Sequence, residues 1–161
     1  MFENTVALDC GSAPGGWSKF LAQDLKCKLV HSVDPGNLDD DVDALDNVNH
    51  MRMKIQDAIP LLKKEHSKIN VFVSDACLHE MEGQLEFLLL AKESGILDDN
   101  AFFVLTLKCT TGYSKAHFDS QAMKVVNSLN ARAHTSGVCT YHLFCNRSGE
   151  RTIMGFLPSE S

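Results

Sequence analysis

The chain has 161 residues, enough for one ordinary domain with a sizeable core. Hydrophobic residues make up 44% and charged residues 22%, near the globular norm, which excludes disordered and fibrous classes. The formal net charge of −6 requires that any grip on nucleic-acid phosphate come from a local basic patch.

In chain order, residues 5–9 form a short apolar run with the composition of a buried strand, and residues 16–25 predict a helix. Residues 28–33 predict a second strand, ending at the turn signal Asp34-Pro35-Gly36. A short strand follows at 50–53. Residues 57–66 predict a helix, with Pro60 tolerable only in its first turn. Residues 70–74 are the clearest central strand, followed by a helix over 83–93 that Gly95 closes. Residues 101–107 are a further apolar strand. A helix over 114–129 then places Phe118, Ala122, Val125, Val126 and Leu129 on one face. The last strands, 138–145 and 152–157, are joined by Asn146-Arg147-Ser148-Gly149-Glu150. Such alternation predicts an α/β doubly wound, mostly parallel sheet covered on both faces, with an antiparallel hairpin at one edge. One domain over 1–161 is expected.

No apolar run reaches the roughly 18 residues of a membrane span, and Met1-Phe2-Glu3-Asn4 lacks the basic and apolar regions of a signal peptide. The expected location is cytoplasmic or nuclear, not secreted. Cys10, Cys27, Cys77, Cys109, Cys139 and Cys145 form no C-x-x-C pair, and most lie in apolar runs. They read as buried free thiols in a reducing compartment. Cys139 and Cys145 on one straight strand would be too far apart to bridge.

The chemistry concentrates in Asp9-Cys10-Gly11-Ser12-Ala13-Pro14-Gly15-Gly16-Trp17, between the first strand and first helix. A phosphate-binding P-loop needs lysine where Trp17 stands, and a dinucleotide fingerprint needs glycine where Ala13 stands. What remains is Asp-x-Gly-x-x-x-Gly at the carboxyl end of a strand, where ligands of open α/β sheets bind. Its glycines allow close backbone approach, and N–H groups at the helix start favour a carboxylate. S-adenosylmethionine carries a carboxylate, an ammonium and a sulfonium, so an acid at Asp9 suits its cationic end. Asp34, 25 positions later at the end of the second strand, can accept from ribose hydroxyls.

This loop, extended to Ser18, closely resembles that of the FtsJ (RrmJ-like) RNA ribose 2′-O-methyltransferases. The resemblance continues through Val33-Asp34-Pro35, Val71-Phe72-Val73-Ser74-Asp75, Leu107-Lys108 and Asn146-Arg147-Ser148-Gly149-Glu150-Arg151, in order over nearly the whole chain. It implies a class I S-adenosylmethionine-dependent methyltransferase fold with a seven-stranded sheet. It also implies S-adenosylmethionine as cofactor and methyl transfer to a ribose 2′-OH of an RNA substrate (rRNA, tRNA or capped mRNA), rRNA processing included; the count of possible ligands in the sequence separately predicts no metal. The family uses a Lys-Asp-Lys-Glu tetrad, and the resemblance makes Asp75, Lys108 and Glu150 its last three members. The implied cofactor contacts are Asp9, Gly11, Ser12, Ala13, Pro14, Gly15, Gly16, Trp17, Asp34, Asp57 and Asp75, with Asp57 near the adenine. The family's first lysine lies on a helix ahead of the loop. The eight residues before Asp9 hold neither lysine nor arginine, so a protein partner or further segment is expected to complete the site.

The residues agree with that chemistry. Asp75 and Lys108 end strands and Glu150 precedes one, so all three can converge beside a bound methyl donor. A ribose hydroxyl is a poor nucleophile until deprotonated, and a lysine can take the proton if its pKa is depressed. Two neighbouring acids raise that pKa, so the site needs a second cation as counterweight. Two other readings stay open: an S-adenosylmethionine-binding module without turnover, and a methyltransferase for a small molecule or protein, marked by a closed pocket.

The acidic run Asp39, Asp40, Asp41, Asp43 and Asp46 lacks the glycine and glutamate of a calcium loop and reads as a solvated loop. His79-Glu80 lacks a second histidine at metal-ligand spacing. Lys63, Lys64 and Lys68 read as a wet helix face, and Arg147 and Arg151 as either phosphate contacts or partners of Glu150. Trp17 reads chiefly as helix–sheet packing, with base stacking as its alternative.

Overall fold

The computed structural model describes residues 2–65, 68–78, 80–108, 115–143 and 149–158. Seven strands form one sheet: β1 (Val6–Cys10), β2 (Leu29–Val33), β3 (Val48–Met51), β4 (Ile69–Ser74), β5 (Leu97–Lys108), β6 (Ser136–Tyr141) and β7 (Glu150–Phe156). Their order is β3-β2-β1-β4-β5-β7-β6. The first five of that order are parallel, while β7 runs antiparallel to both β5 and β6. The expected mostly parallel sheet with an antiparallel closing pair is therefore present. Its last strand, however, is inserted between β5 and β6. That insertion sets Glu150 directly opposite Lys108.

The order reverses between β1 and β4, the kind of switch point where open α/β sheets bind ligands. Every residue of β1 is buried, because it lies between two strands and under helices on both faces. The larger core packs α3 (Ile55–Lys64), α4 (Glu82–Glu93) and α5 (Lys115–Ala133) against one face through residues such as Leu62, Leu88 and Leu129. The smaller core, with Ala7, Val30, Val73 and Val104, is covered by α1 (Gly16–Lys19) and its continuation Phe20–Asp24.

Local differences from the sequence reading have local causes. The first helix turns π-helical at Phe20–Asp24, with the Leu25 N–H reaching back to Phe20 O. No apolar spacing announces that widening. The acidic run is not wholly loop: Asp40–Asp43 forms a short helix, α2, whose Val42 is buried. Helix α3 starts at Ile55, so Pro60 lies inside it and not in its first turn. Proline has no N–H, so the Gln56 carbonyl receives no bond from that position. Strand β5 begins at Leu97, four residues ahead of the expected strand, and runs through Asp98 and Asp99; Asn70 Nδ2 ties Asp98 to the neighbouring strand at 2.9 Å. The cap at Gly95 is as expected, with φ 75° and its N–H on Lys92 O. Cys10 and Cys27 are buried thiols, but Cys77 and Cys139 are exposed, against expectation. Each lies at a sheet end or edge. Cys109 and Cys145 fall outside the described residues. No helix among the described residues is long and apolar enough to cross a membrane.

Candidate active site

A cavity of about 1200 Å³ opens along the carboxyl ends of the parallel strands. Gly11, Ser12, Ala13, Pro14, Gly16 and Trp17 line its centre, Asp34 stands at the end of β2, and Asp75, Lys108 and Glu150 line the β4–β5–β7 end. At the opposite end, Met53, Lys54, Ile55 and Gln56 close it between β3 and α3.

The loop holds its shape through close contacts. Gly11 has φ 80°, and a Cβ there would lie 2.6 Å from Ala76 Cβ. Gly15 has φ 122° and abuts Val42, while a Cβ on Gly16 would meet no protein atom within 4 Å. The Asp39 N–H bonds Pro14 O at 2.8 Å, so the acidic segment buttresses the loop. Asp34 does the same from β2, accepting from Gly36 N–H at 2.6 Å and Ala13 N–H at 3.3 Å.

Asp9 and Gly15 sit behind this surface instead of on it. Asp9 is wholly buried; its Oδ2 accepts from Ser18 Oγ at 2.7 Å, and Ser18 Oγ lies 2.5 Å from Ser32 Oγ. Burial pushes the Asp9 carboxyl up to about 7, a rise that the Ser18 bond opposes and the charges of Asp75 and Asp34 reinforce. Asp57 is exposed on the first turn of α3 and lies outside the cavity lining, one residue past Gln56.

At the other end, Lys108 Nζ donates to Asp75 O at 2.8 Å, pairs with Asp75 Oδ1 at 3.0 Å and lies 3.3 Å from Cys77 Sγ. Burial pulls the Lys108 pKa down, but Asp75 and Cys77 outweigh it and hold the amine above its ordinary value. Gln84, on α4, locks this corner by donating to Ala76 O at 3.0 Å and Thr106 O at 2.5 Å. Arg151 faces elsewhere. Its guanidinium stacks 4.8 Å over Phe118, with Asp119 at 3.7 Å, and donates to Glu150 O at 2.7 Å. It therefore pairs with the Glu150 backbone and α5. Arg147 and His79 lie outside the described residues, among which no metal-holding cluster occurs. Trp17 packs on the smaller core as expected, and it also lines the cavity and meets Phe20 edge-on at 6.0 Å.

The model of the FtsJ-like methyltransferases matches residues 1–132. The chain belongs to the FtsJ-like methyltransferase family. Its cofactor is S-adenosylmethionine. An uncharacterized protein of Methanocaldococcus jannaschii is 27% identical over 150 residues, covering 87% of this chain. This FtsJ-like chain spans 40% of that relative's length. Among solved structures it is similar to a candidate hemolysin from Lactococcus lactis (TM-score 0.75, 19% identity, 97% of this chain and 80% of that one). Fibrillarin, a pre-rRNA processing protein of Methanococcus jannaschii, gives TM-score 0.74 at 11% identity over 99% and 70% of the two chains. TYW2 of M. jannaschii, in complex with AdoMet, gives 0.64 at 12% over 98% and 70%. At such identities the likeness is one of fold.

The FtsJ-like cavity fits S-adenosylmethionine chemically. Asp9 Oδ1 and Ser12 Oγ are buried without hydrogen-bond partners, and three carboxylates (Asp9, Asp34 and Asp75) surround the loop. Such a site favours a cation that also brings donors. Sequence reasoning missed Cys77, Gln84, Lys54 and Gln56. Cys77 and Gln56 each stand within two residues of an expected site residue, the one available signal.

Proposed function

We propose that this chain transfers methyl from S-adenosylmethionine to a ribose 2′-OH of RNA, with Asp75, Lys108 and Glu150 forming the transfer face. The observation that carries the reading is their convergence, from three adjacent strands, at one end of the cofactor cavity. When bound, S-adenosylmethionine supplies an electrophilic sulfonium methyl. Lys108 is placed to orient the attacking hydroxyl and, once neutral, to take its proton. Glu150, facing it across the β5–β7 ladder, supplies a second carboxylate to orient the hydroxyl.

The environment of Lys108 holds it protonated, so turnover calls for a cation that draws off Asp75. We read a protein partner or further segment as its source, and rRNA, tRNA or capped mRNA as the substrate class. The fibrillarin likeness supports this reading at the level of fold. Cofactor contacts are assigned to the glycine loop, Asp34 and Asp75, with Asp9 acting from beneath.

The test is transfer of labelled methyl to total RNA, followed by nuclease digestion and identification of the methylated nucleoside. Wild-type protein should yield 2′-O-methyl nucleosides and Lys108→Met should yield none while still binding S-adenosylhomocysteine. Label on the base or on protein would overturn the ribose assignment.

A further inference from the structure

The cavity is elongated along the sheet, and its two ends have different chemistry. Lys108, Asp75 and Glu150 occupy the β5 end, Asp34 stands midway along the cavity just past the end of β2, and Met53–Gln56 occupy the β3–α3 end. A methyl donor lying with its sulfonium toward Lys108 and its ribose toward Asp34 must therefore put its adenine against Met53–Gln56. This placement rests on the reading of the transfer face above.

Adenine presents an exocyclic amine that donates and ring nitrogens that accept. A side chain that reads it in full needs an acceptor and a donor side by side. Of the side chains lining this end, Met53 and Ile55 are apolar, and Lys54 only donates. Asp57, the acid that the family resemblance places here, lies outside the lining; it and Gln56 are both exposed, and Gln56 alone of the two lines the cavity. Gln56 has a carbonyl oxygen and an NH₂ in one planar group, the geometry that pairs bidentately with adenine.

We propose that Gln56, not Asp57, is the side chain that recognises the adenine of the cofactor. Gln56 is a specificity residue: it selects the 6-amino purine and takes no part in methyl transfer. Its carboxamide oxygen accepts from the amine while its NH₂ donates to a ring nitrogen.

Calorimetry with S-adenosylhomocysteine and with its analogue lacking the 6-amino group tests this without turnover. Wild-type protein should bind the analogue about fivefold more weakly, the worth of one neutral hydrogen bond. In Gln56→Ala that difference should vanish, with both ligands bound more weakly than wild type binds the analogue, because the bond from the NH₂ to the ring nitrogen is lost as well. Gln56→Glu keeps the acceptor and should keep the preference for the amine. Asp57→Ala should behave as wild type. A purely structural role for Gln56 would lower both affinities and preserve their ratio, so the ratio is the deciding readout. Persistence of the amine preference in Gln56→Ala, or its loss in Asp57→Ala, would overturn the proposal alone. Failure of wild-type protein to bind S-adenosylhomocysteine would overturn the cofactor placement beneath it.

Discussion

Asp9 is a carboxyl sealed under a cofactor loop, and its proton is coupled to two properties at once. The native group holds its proton up to about pH 7, whereas an unfolded aspartate releases it near pH 4. Between those values the native state binds more protons, so its stability must fall as pH rises. Asp9→Asn cannot ionise. Its melting temperature should change less between pH 5 and pH 8 than that of wild type, as thermal unfolding at both values will show. The same ionisation favours a cationic ligand, so wild-type affinity for S-adenosylmethionine should rise through pH 7 and that of Asp9→Asn should stay flat. The Lys108 pKa is raised too. Held above its ordinary range by Asp75 and Cys77 against the pull of burial, it gains its neutral form only as pH climbs. Methyl transfer should therefore increase with pH up to at least 9, and Asp75→Asn should move that rise to lower pH. A rate that plateaus near pH 7 in the unassisted chain would show that Lys108 is not the proton acceptor.

The elements around the loop separate folding from binding. At Gly11 a Cβ would strike Ala76 at 2.6 Å and force a left-handed conformation on alanine. Gly11→Ala should thus lose about 2 kcal/mol or more in denaturant unfolding. At Gly16 the space is the cavity itself, so Gly16→Ala should unfold within about 0.5 kcal/mol of wild type yet weaken S-adenosylhomocysteine in calorimetry. The loop, the strand ends and the alternation of elements were legible because their signals are local: glycines, Asp34-Pro35-Gly36, apolar runs. Other features depend on distant packing. Helix α2 forms because Val42 is buried against Gly15, and one valine among aspartates carries no helical period. Helix α3 begins at Ile55, and Gln56 lines the cavity where Asp57 was expected to, a difference too small for periodicity to resolve. The insertion of β7 beside β5, which brings Glu150 to Lys108, is a pairing choice that neither strand's own sequence states.

At the scale of the whole molecule, charge and site oppose each other. The chain carries −6 overall, the loop is ringed by Asp9, Asp34 and Asp75, and the lysines lining the cavity among the described residues are Lys54 and Lys108. Lys68, by contrast, is spent on the far end of the sheet, donating to Gly95 O at 2.9 Å. Phosphate contacts release counterions in proportion to their number, so the salt dependence of binding counts the cations that hold RNA. Two cavity lysines on a single strand imply a slope of log K against log salt of only about −1.4. Fluorescence anisotropy of a labelled single-stranded RNA, titrated from low to moderate salt, should give that shallow slope and weak affinity. Lys54→Met should make it shallower still, by about 0.7, while leaving the melting temperature in place because its side chain is exposed. A slope steeper than about −3 would mean that four or more cations in all, about two of them outside the cavity, grip the strand, and the RNA path would then have to leave the cofactor cleft.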